Sequence, residues 1–321
     1  MKKHDAVLEI LTENLPVKAA ISAEKQLKVL AASLLTKAGL PFGGIETFAT
    51  CRRLALYINE VHARAGGNDY GKSAINTLST MFAGVIAGLK FHKEMLWGKG
   101  SIPFIRPLRG LLALYGNKTV VFSAAGLNSD RFSAGLSARG SPPLKISSAE
   151  TYFKTLKEAG VLIKDTERLT SLRRALFGYA KRKNLKVDMD EKLLRENLYL
   201  VERPVCVAGR YPGYFLRLPP ELIRLVLKKQ LKLFPLCGRG NRLKPFFLAV
   251  TDGIFKRRDI SIGFGRAVET HLRNTVFVHS RDLSADPRTG RITFSDKLGA
   301  SRLPAPRDIR LRLKNLGKLG F

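Results

Sequence analysis

Acidic residues are scarce in this chain. Of its 321 residues, 26 are Asp or Glu and 56 are Lys or Arg, which gives a formal net charge of +30 at pH 7. Charge of one sign repels itself in a compact fold, so such an excess persists where a polyanion or an acidic partner neutralises it. The scarcity of acidic residues therefore makes nucleic acid the first partner to consider.

Cysteine and histidine are scarce too. Cys51, Cys206 and Cys237 are odd in number, far apart and never in a C-x-x-C spacing. The five histidines also lack the spacing of metal ligands. This pattern indicates neither a disulfide framework nor a zinc ribbon, and we expect no metal site in the chain.

Long apolar runs are missing as well. No run of about 18 or more apolar residues occurs, as a membrane-spanning helix would require. The basic residues at the start of the chain are followed by Asp5, Glu9 and Glu13, which interrupt the apolar core that a signal peptide needs. We therefore expect no membrane partner and a cytoplasmic location.

Apolar residues are nevertheless plentiful, at 45% of the chain, and their short segments alternate between strand-like and helix-like periodicity. This pattern predicts an α+β fold with mixed helices and antiparallel or mixed sheets in two lobes. We place an amino-terminal α+β lobe at residues 1–146, a second α+β lobe with basic helices at 147–285, and a basic, poorly ordered tail at 286–321. The main predicted strands are 6–10, 54–61, 109–114, 119–122, 201–207 and 246–250, and the main predicted helices are 23–38, 77–89, 148–159 and 167–183.

The excess positive charge runs through segments that are predicted to fold. Residues 222–246 contain seven Lys and Arg and no acidic residue, on a helical pattern that keeps apolar residues on one face. Arg224, Lys228 and Lys232 recur at every fourth residue and form a stripe on that helix. Such a stripe is either a solvated helix face or a phosphate contact, and the surrounding positive charge favours phosphate.

A glycine-rich basic loop follows the stripe. Residues 238–242 read GRGNR and contain no acidic residue. Glycines let backbone N–H groups and arginine side chains approach phosphates together. We therefore regard this loop, with Arg239 and Arg242, as the strongest single candidate for RNA contact.

A phosphate-loop pattern occurs at residues 66–73, which read GGNDYGKS and satisfy G-x-x-x-x-G-K-[ST]. Asp252, at the end of a later apolar segment, would then hold Mg²⁺. Four residues separate the preceding strand from the first glycine, whereas a phosphate loop begins directly at the end of its strand. We favour a glycine-rich connection and keep a P-loop NTPase as the alternative function. In that alternative, the cofactor-binding residues are Gly66, Gly71, Lys72 and Ser73.

Several short segments match those of a known family in collinear order. Residues 8–16 read LEILTENLP, residues 48–55 read FATCRRLA, and residues 95–107 begin with MLWGKG and end with FIRP. Further along, residues 200–205 read LVERPV and residues 294–299 read FSDKLG. Together these segments resemble the beta subunit of bacterial glycyl-tRNA synthetase, in which they read approximately LEIGTEELP, FATPRRLA, MRWG-x-G to FxRP, LVEWPV and FQEKLG.

The resemblance covers roughly residues 6–61 and 91–299. A stretch that the family carries after its FATPRRLA segment is missing, and the family's RGHRF segment appears as RFSAG at residues 131–135. The family's HD-type and anticodon-binding domains would follow residue 299. The resemblance therefore implies a shortened and diverged amino-terminal region that lacks these two domains.

The resemblance also implies a non-catalytic subunit of glycine-tRNA ligase. In that family the alpha subunit makes glycyl-adenylate from ATP and glycine, while the beta subunit binds tRNA and is needed for aminoacylation. We therefore expect two partners, a separate alpha subunit and tRNA(Gly) or another structured RNA. ATP and Mg²⁺ are expected at the alpha subunit, with no cofactor and no catalytic residue in this chain. A decayed fragment that acts only as a general RNA-binding protein is a further alternative.

Three arginines lie within the segments that carry the resemblance. Arg52 and Arg53 open a predicted strand, where they are either salt-bridge partners or phosphate contacts. Arg106 is held extended by the proline after it, and that position is equally compatible with a structural ion pair and an RNA contact. The residues that we expect to contact tRNA are Arg52, Arg53, Arg106, Lys228, Lys229, Lys232, Arg239 and Arg242.

Overall fold

The fold is α+β, as the sequence predicts. A computed structural model describes residues 2–63, 73–97, 102–253 and 256–284, with side chains as far as residue 278. The predicted tail at 286–321 lies outside these residues. The helices are α1 (Val17–Lys37), α2 (Ala74–Gly88), α3 (Tyr152–Glu158), α4 (Asp165–Arg182), α5 (Glu191–Leu198), α6 (Pro220–Arg224) and α7 (Arg257–Ser284). The strands are β1 (Lys3–Thr12), β2 (Gly44–Ala49), β3 (Arg53–His62), β4 (Leu108–Tyr115), β5 (Lys118–Thr119), β6 (Ser123–Ala124), β7 (Leu127–Asp130), β8 (Phe132–Ala134), β9 (Pro143–Lys145), β10 (Lys186–Val187), β11 (Pro204–Arg210), β12 (Phe234–Cys237) and β13 (Leu243–Asp252).

The first sheet is built around β1. Its strand order is β2-β3-β1-β4-β7-β6, with β5 added to β4, and β1 pairs antiparallel with both β3 and β4. Strands β4 and β7 run parallel, so the sheet is mixed. Alternate residues of β1 contribute to two different apolar clusters, with Leu8 and Ile10 in one and Val7 in the other. Both faces of the sheet are therefore buried.

One face of this sheet is covered by α1 and α2. Ala23, Leu27, Ala31 and Leu35 of α1 are buried at helical spacing. The predicted helix begins at residue 23, whereas α1 begins at Val17, directly after a proline that cannot donate a helical hydrogen bond.

The other face is covered by α3. Tyr152 and Leu156 of α3, together with Ile163, pack against Tyr57 and Leu114 of the sheet. The packing of the first sheet therefore continues past residue 146, where we placed the boundary between lobes. That boundary stays a prediction about independent folding.

The second sheet has the strand order β10-β12-β13-β11, and all of its pairs are antiparallel. Helices α4 and α5 pack on one face through Leu172, Leu176 and Leu194. Helix α7 packs on the other face through Val268 and Leu272. Strand β11 lies at the edge of this sheet, so one of its two long sides has no neighbouring strand. That side lies between α4 and α7.

Two elements of the second sheet differ from the prediction. The strand predicted at 201–207 begins only at Pro204, because the backbone N–H groups of Glu202 and Arg203 donate to the Asp252 carboxylate, each at 2.8 Å, instead of to a strand. The predicted basic helix is formed by α6 followed by a π-helical turn at Leu225–Gln230. None of the described helices is long and apolar enough to cross a membrane.

Candidate nucleic-acid interface

Arg53 lies at the centre of a buried ion network between the two sheets. Its side chain is 0% exposed, as are those of its two carboxylate partners, Glu9 on β1 and Glu202 just before β11. Arg53 Nη1 donates to Glu9 Oε2 at 3.1 Å, and Arg53 Nη2 donates to Glu202 Oε2 at 3.2 Å. One guanidinium group thus joins the two sheets through a carboxylate from each side.

Hydroxyl and carbonyl groups complete the network. Thr50 Oγ1 donates to Glu202 Oε1 at 2.9 Å, and Arg53 Nη2 donates to the carbonyl oxygen of Ala134 at 2.9 Å. The hydroxyl groups of Ser133 and Tyr152 both donate to Glu9. Each of these buried charges is therefore hydrogen-bonded as well as paired, which is the condition under which burial is tolerated.

The network sets the protonation states of its members. Burial acts to raise the pKa of Glu202, but Arg53, Arg52 and Thr50 outweigh it and hold that pKa below its usual value. Burial raises the pKa of the Tyr152 hydroxyl, as do the Glu9 charge and the hydrogen bond to it. Glu202 therefore stays ionised and Tyr152 stays neutral around pH 7.

Arg52 is a further, partly exposed member of the same network. Arg52 Nε donates to Glu202 Oε2 at 3.1 Å, and Arg52 Nη1 donates to Ser141 Oγ at 2.6 Å. Its side chain is only 12% exposed. A contact with phosphate would therefore have to compete with an ion pair that already exists.

The position of Arg53 does not favour the phosphate contact that we predicted, because its guanidinium group is buried and its N–H groups are hydrogen-bonded within the protein. The salt-bridge alternative is the one that the structure supports. Sequence reasoning did not single out Glu9 or Glu202. The available signal was a charged residue set within apolar neighbours, as in residues 6–11 (AVLEIL) and 200–205 (LVERPV).

Four of the segments that we related to the known family meet in the network around Arg53. Glu9 comes from LEILTENLP, Thr50 and Arg53 from FATCRRLA, Ser133 from RFSAG, and Glu202 from LVERPV. These segments are far apart along the chain, and the ion network is where the two sheets join. We refer to this network as the buried junction.

Two cations of the predicted basic stripe are already paired within the protein. Arg224 Nε and Lys228 Nζ each donate to the Asp188 carboxylate at 2.7 Å. Burial acts to raise the pKa of Asp188, but the hydrogen bonds from Lys228 and Arg224 outweigh it and lower that pKa. Much of the charge of this pair of cations is therefore neutralised locally.

The next two cations of that segment differ from each other. Lys232 lies two residues beyond the π-helical turn, has a φ of +57° and forms an ion pair of 2.6 Å with Glu196. Lys229 is exposed, and no carboxylate of the described residues lies within ion-pair distance of it. Lys229 is therefore more available to a polyanion than Lys228 or Lys232.

The basic loop projects both of its arginines into solvent. Arg239 and Arg242 are exposed, and neither pairs with a carboxylate within the part of the chain that the structure describes. Gly240, between them, has a φ of +65°, a backbone conformation that glycine adopts without strain. Arg242 also lines an open cleft of about 350 Å³ together with Arg224. The structure is thus compatible with the role that we expected for the loop.

Arg106 is exposed and lies far along the chain from the basic loop. No carboxylate of the described residues pairs with it. The nearby Trp97 is half-buried against the first sheet, and its Nε1 donates to the carbonyl oxygen of Phe104 at 2.9 Å. Trp97 therefore anchors this segment against the first sheet.

Of the four residues predicted for the phosphate loop, the structure describes Ser73 alone. Gly66, Gly71 and Lys72 lie outside the described residues, and Ser73 caps α2 by accepting a hydrogen bond from the Asn76 N–H. The strand before the pattern, β3, is antiparallel to both of its neighbours, whereas a phosphate loop follows a parallel strand. Asp252 lies in the other sheet and binds backbone N–H groups.

A second polar cluster joins α1 to the second sheet's helices. The Tyr199 hydroxyl lies 3.0 Å from Glu24 Oε2 and 3.2 Å from Asp165 Oδ2. Burial and the nearby Asp165 charge raise the pKa of Glu24 to about 7, despite the hydrogen bond from Tyr199 and the charge of Arg168. Glu24 therefore changes its charge near neutral pH.

Most of this chain is similar in sequence to proteins named glycine–tRNA ligase. The glycine–tRNA ligase beta subunit of Moorella thermoacetica is 27% identical over 92% of this chain and 51% of that protein. The chloroplastic/mitochondrial glycine–tRNA ligase 2 of Arabidopsis thaliana is 28% identical over 91% of this chain and 33% of that protein. The glycine–tRNA ligase beta subunit of Dictyoglomus turgidum is 24% identical over 98% of this chain and 54% of that protein. The chain thus spans about half the length, or less, of these relatives.

A family model gives the broader result. The model described as glycyl-tRNA synthetase beta subunit matches residues 6–69 and 63–307, which include every segment of the buried junction. The match extends over far more than half of the chain and agrees with the collinear motifs. This chain therefore belongs to the glycyl-tRNA synthetase beta subunit family.

Proposed function

We propose that this chain binds tRNA and supports the attachment of glycine to tRNA(Gly) by a separate alpha subunit. The observation that carries the proposal is the buried junction, which the family's own segments build in a chain of net charge +30. Because the junction joins the two sheets, the exposed cations near each sheet are held in fixed positions relative to each other. A rigid basic surface suits a folded RNA better than a flexible tail does.

The exposed cations form the tRNA contacts in this proposal. Lys229, Arg239 and Arg242 carry positive charge that no described carboxylate neutralises, and Arg106 is placed similarly on the first sheet. Arg52, Lys228 and Lys232 are paired with carboxylates and contribute mainly to the long-range field. Phosphate contacts of this kind orient an RNA without reading its sequence.

The chemistry of aminoacylation takes place elsewhere in this proposal. Activation of glycine by ATP with Mg²⁺ belongs to the alpha subunit, and this chain contributes binding and positioning of the tRNA. We assign no catalytic acid, base or nucleophile to the residues of this chain. The proposal therefore makes the rate of glycine attachment depend on both chains.

An affinity capture combined with an aminoacylation assay tests the subunit role. The tagged chain is mixed with the alpha subunit of the same organism, and glycine attachment to tRNA(Gly) is measured with and without the chain. We expect co-purification of the two proteins and a faster reaction when both are present. Tight tRNA binding without any effect on the alpha subunit would instead support the general RNA-binding alternative. Failure of both binding and rate effects would overturn the subunit role.

A further inference from the structure

A basic cleft of about 700 Å³ opens between α4, α7 and the edge strand β11. Its walls carry Arg174 and Arg182 on α4 and Arg257 and Arg258 at the start of α7. Its floor is formed by residues 204–208 of β11. None of the described acidic side chains lines the cleft, although α7 carries Asp259 in its first turn, outside the lining.

The four arginines of the cleft are available for binding. All of them are exposed, and none lies within 4.0 Å of a carboxylate in the ranges whose side chains are described, 2–63, 73–97, 102–253 and 256–278. In contrast, the cations of the predicted stripe are paired with Asp188 and Glu196. The positive charge of the cleft is thus less neutralised than that of the stripe.

The walls of the cleft are fixed in position by the second sheet. Leu172 and Leu176 hold α4 against one face of the sheet, and Val268 and Leu272 hold α7 against the other face. Arginines on rigid helices retain more of their binding energy than arginines on a loop, because less conformational freedom is lost on binding.

We propose that this cleft binds the phosphate backbone of the RNA, a proposal that rests on the proposed function of the chain. Arg174 and Arg182 are eight residues apart on one helix, which is about 12 Å along its axis. That span exceeds a single phosphate group and suits several phosphates of a continuous backbone. The planar fork of guanidinium N–H groups matches the oxygens of a phosphate and binds them in pairs.

The floor of the cleft favours RNA over an added peptide strand. A peptide that extends the sheet needs a run of free backbone donors and acceptors along β11. Pro204 has no N–H group, and the carbonyl oxygen of Ala208 already accepts a hydrogen bond of 2.8 Å from Ser261 Oγ. Burial raises the pKa of Cys206 to about 12, so its thiol stays neutral and does not oppose an anion.

The test replaces the four arginines of the cleft by glutamine and measures the affinity of the intact chain for fluorescein-labelled tRNA at several salt concentrations. The matched control replaces four exposed lysines of the first lobe, so that the change in charge is equal. A third variant with four lysines in the cleft keeps the charge and removes the guanidinium fork. Circular dichroism checks that the fold is kept. The control positions are Lys18, Lys28, Lys37 and Lys93.

We expect the glutamine variant to lose at least about tenfold in affinity and about 3 from the slope of log K against log[salt], since each lost phosphate contact removes ~0.7 to 0.9. The control is expected to lose much less, and the four-lysine variant to lie between it and the glutamine variant. Equal losses in the glutamine variant and the control, or unchanged tRNA binding by the glutamine variant, would overturn the proposal. Absence of tRNA binding by the unmodified chain would instead refute the proposed function itself, together with its site in the cleft.

Discussion

Arg53 shows how the same residue type serves two purposes in this protein. Its guanidinium group is enclosed with Glu9 and Glu202, whereas Arg239 extends into solvent. An arginine next to a strand in the sequence gives no indication of which case applies. The difference arises because β1 and β3 are buried on both faces, so a charge on either face needs a buried partner.

Removal of Arg53 tests how much the buried junction contributes to the stability of the fold. The substitution Arg53→Met leaves the carboxylates of Glu9 and Glu202 buried without their shared cation. We expect the free energy of unfolding, measured by urea titration, to fall by about 3 to 5 kcal/mol.

An exposed ion pair provides the control for this measurement. Arg109 pairs with Glu13 at the surface, and Arg109→Met should cost at most about 1 kcal/mol. Similar costs at Arg53 and Arg109 would mean that the buried junction does not hold the sheets together.

Glu24 gives the protein a pH-dependent stability. Its pKa is raised to about 7, mainly by burial, so the folded chain binds this proton more tightly than the unfolded chain. The stability from this group is complete below about pH 4.5 and is lost as the pH rises through 7. We expect Glu24→Gln, which imitates the protonated form, to be more stable than the unmodified chain at pH 8 by about 1 kcal/mol. A pKa shift in a fully desolvated group would contribute ~1.4 kcal/mol for each unit. The expected effect is smaller because Glu24 is partly solvated.

The measurement for Glu24 is urea unfolding of both proteins between pH 4.5 and pH 8. The stability difference between the variant and the unmodified chain should be small at the acidic end and grow with pH. A difference that shrinks as the pH rises would contradict the assignment of the raised pKa.

At the scale of elements, local sequence patterns predicted most of the fold. The periodicity of residues 54–61 and 167–183 gave β3 and α4 nearly at their observed ends. The strands predicted at 109–114 and 119–122 overlap β4 and β5, which form a hairpin whose turn contains Gly116 with a φ of +53°. The predicted strand at 201–207 began too early, because the side chain of Asp252, 50 residues away, takes the backbone N–H groups there. Such a long-range contact leaves no trace in local periodicity.

The pairing of β11 with β13 depends on a glycine. Gly209 lies directly opposite Phe247, and a Cβ at Gly209 would overlap the buried Phe247 ring. We expect Gly209→Ala to lower the free energy of unfolding by about 1 to 3 kcal/mol, the usual cost of overpacking a core.

Gly213, a few residues further on, is the matched control for that substitution. No atom lies within 4 Å of a Cβ built at Gly213, and its backbone is not in the left-handed region. Gly213→Ala should therefore change stability by less than about 0.5 kcal/mol. The free energies of unfolding of both variants are measured by urea titration. Equal effects of the two substitutions would contradict the close approach of Gly209 to Phe247.

At the scale of the whole molecule, the composition predicted a polyanion partner but not where the charge is available. The predicted stripe is largely neutralised by Asp188 and Glu196, which lie outside the basic segment 222–246. The cleft combines arginines of α4 with those of α7, some 75 to 84 residues apart, and only the fold brings them together. The buried junction likewise joins segments that are adjacent in space and not in sequence.

Binding of tRNA as a function of salt concentration is the most direct test of the central claim, that exposed cations on a fixed surface hold RNA. For the unmodified chain we expect log K to fall linearly and steeply with log[salt]. A variant with glutamine at Lys229, Arg239 and Arg242 should bind more weakly and lose about 2 from that slope, whereas glutamine at Lys18, Lys28 and Lys37 should leave both nearly unchanged. An affinity of the unmodified chain that does not depend on salt, or equal losses in the two variants, would contradict the claim.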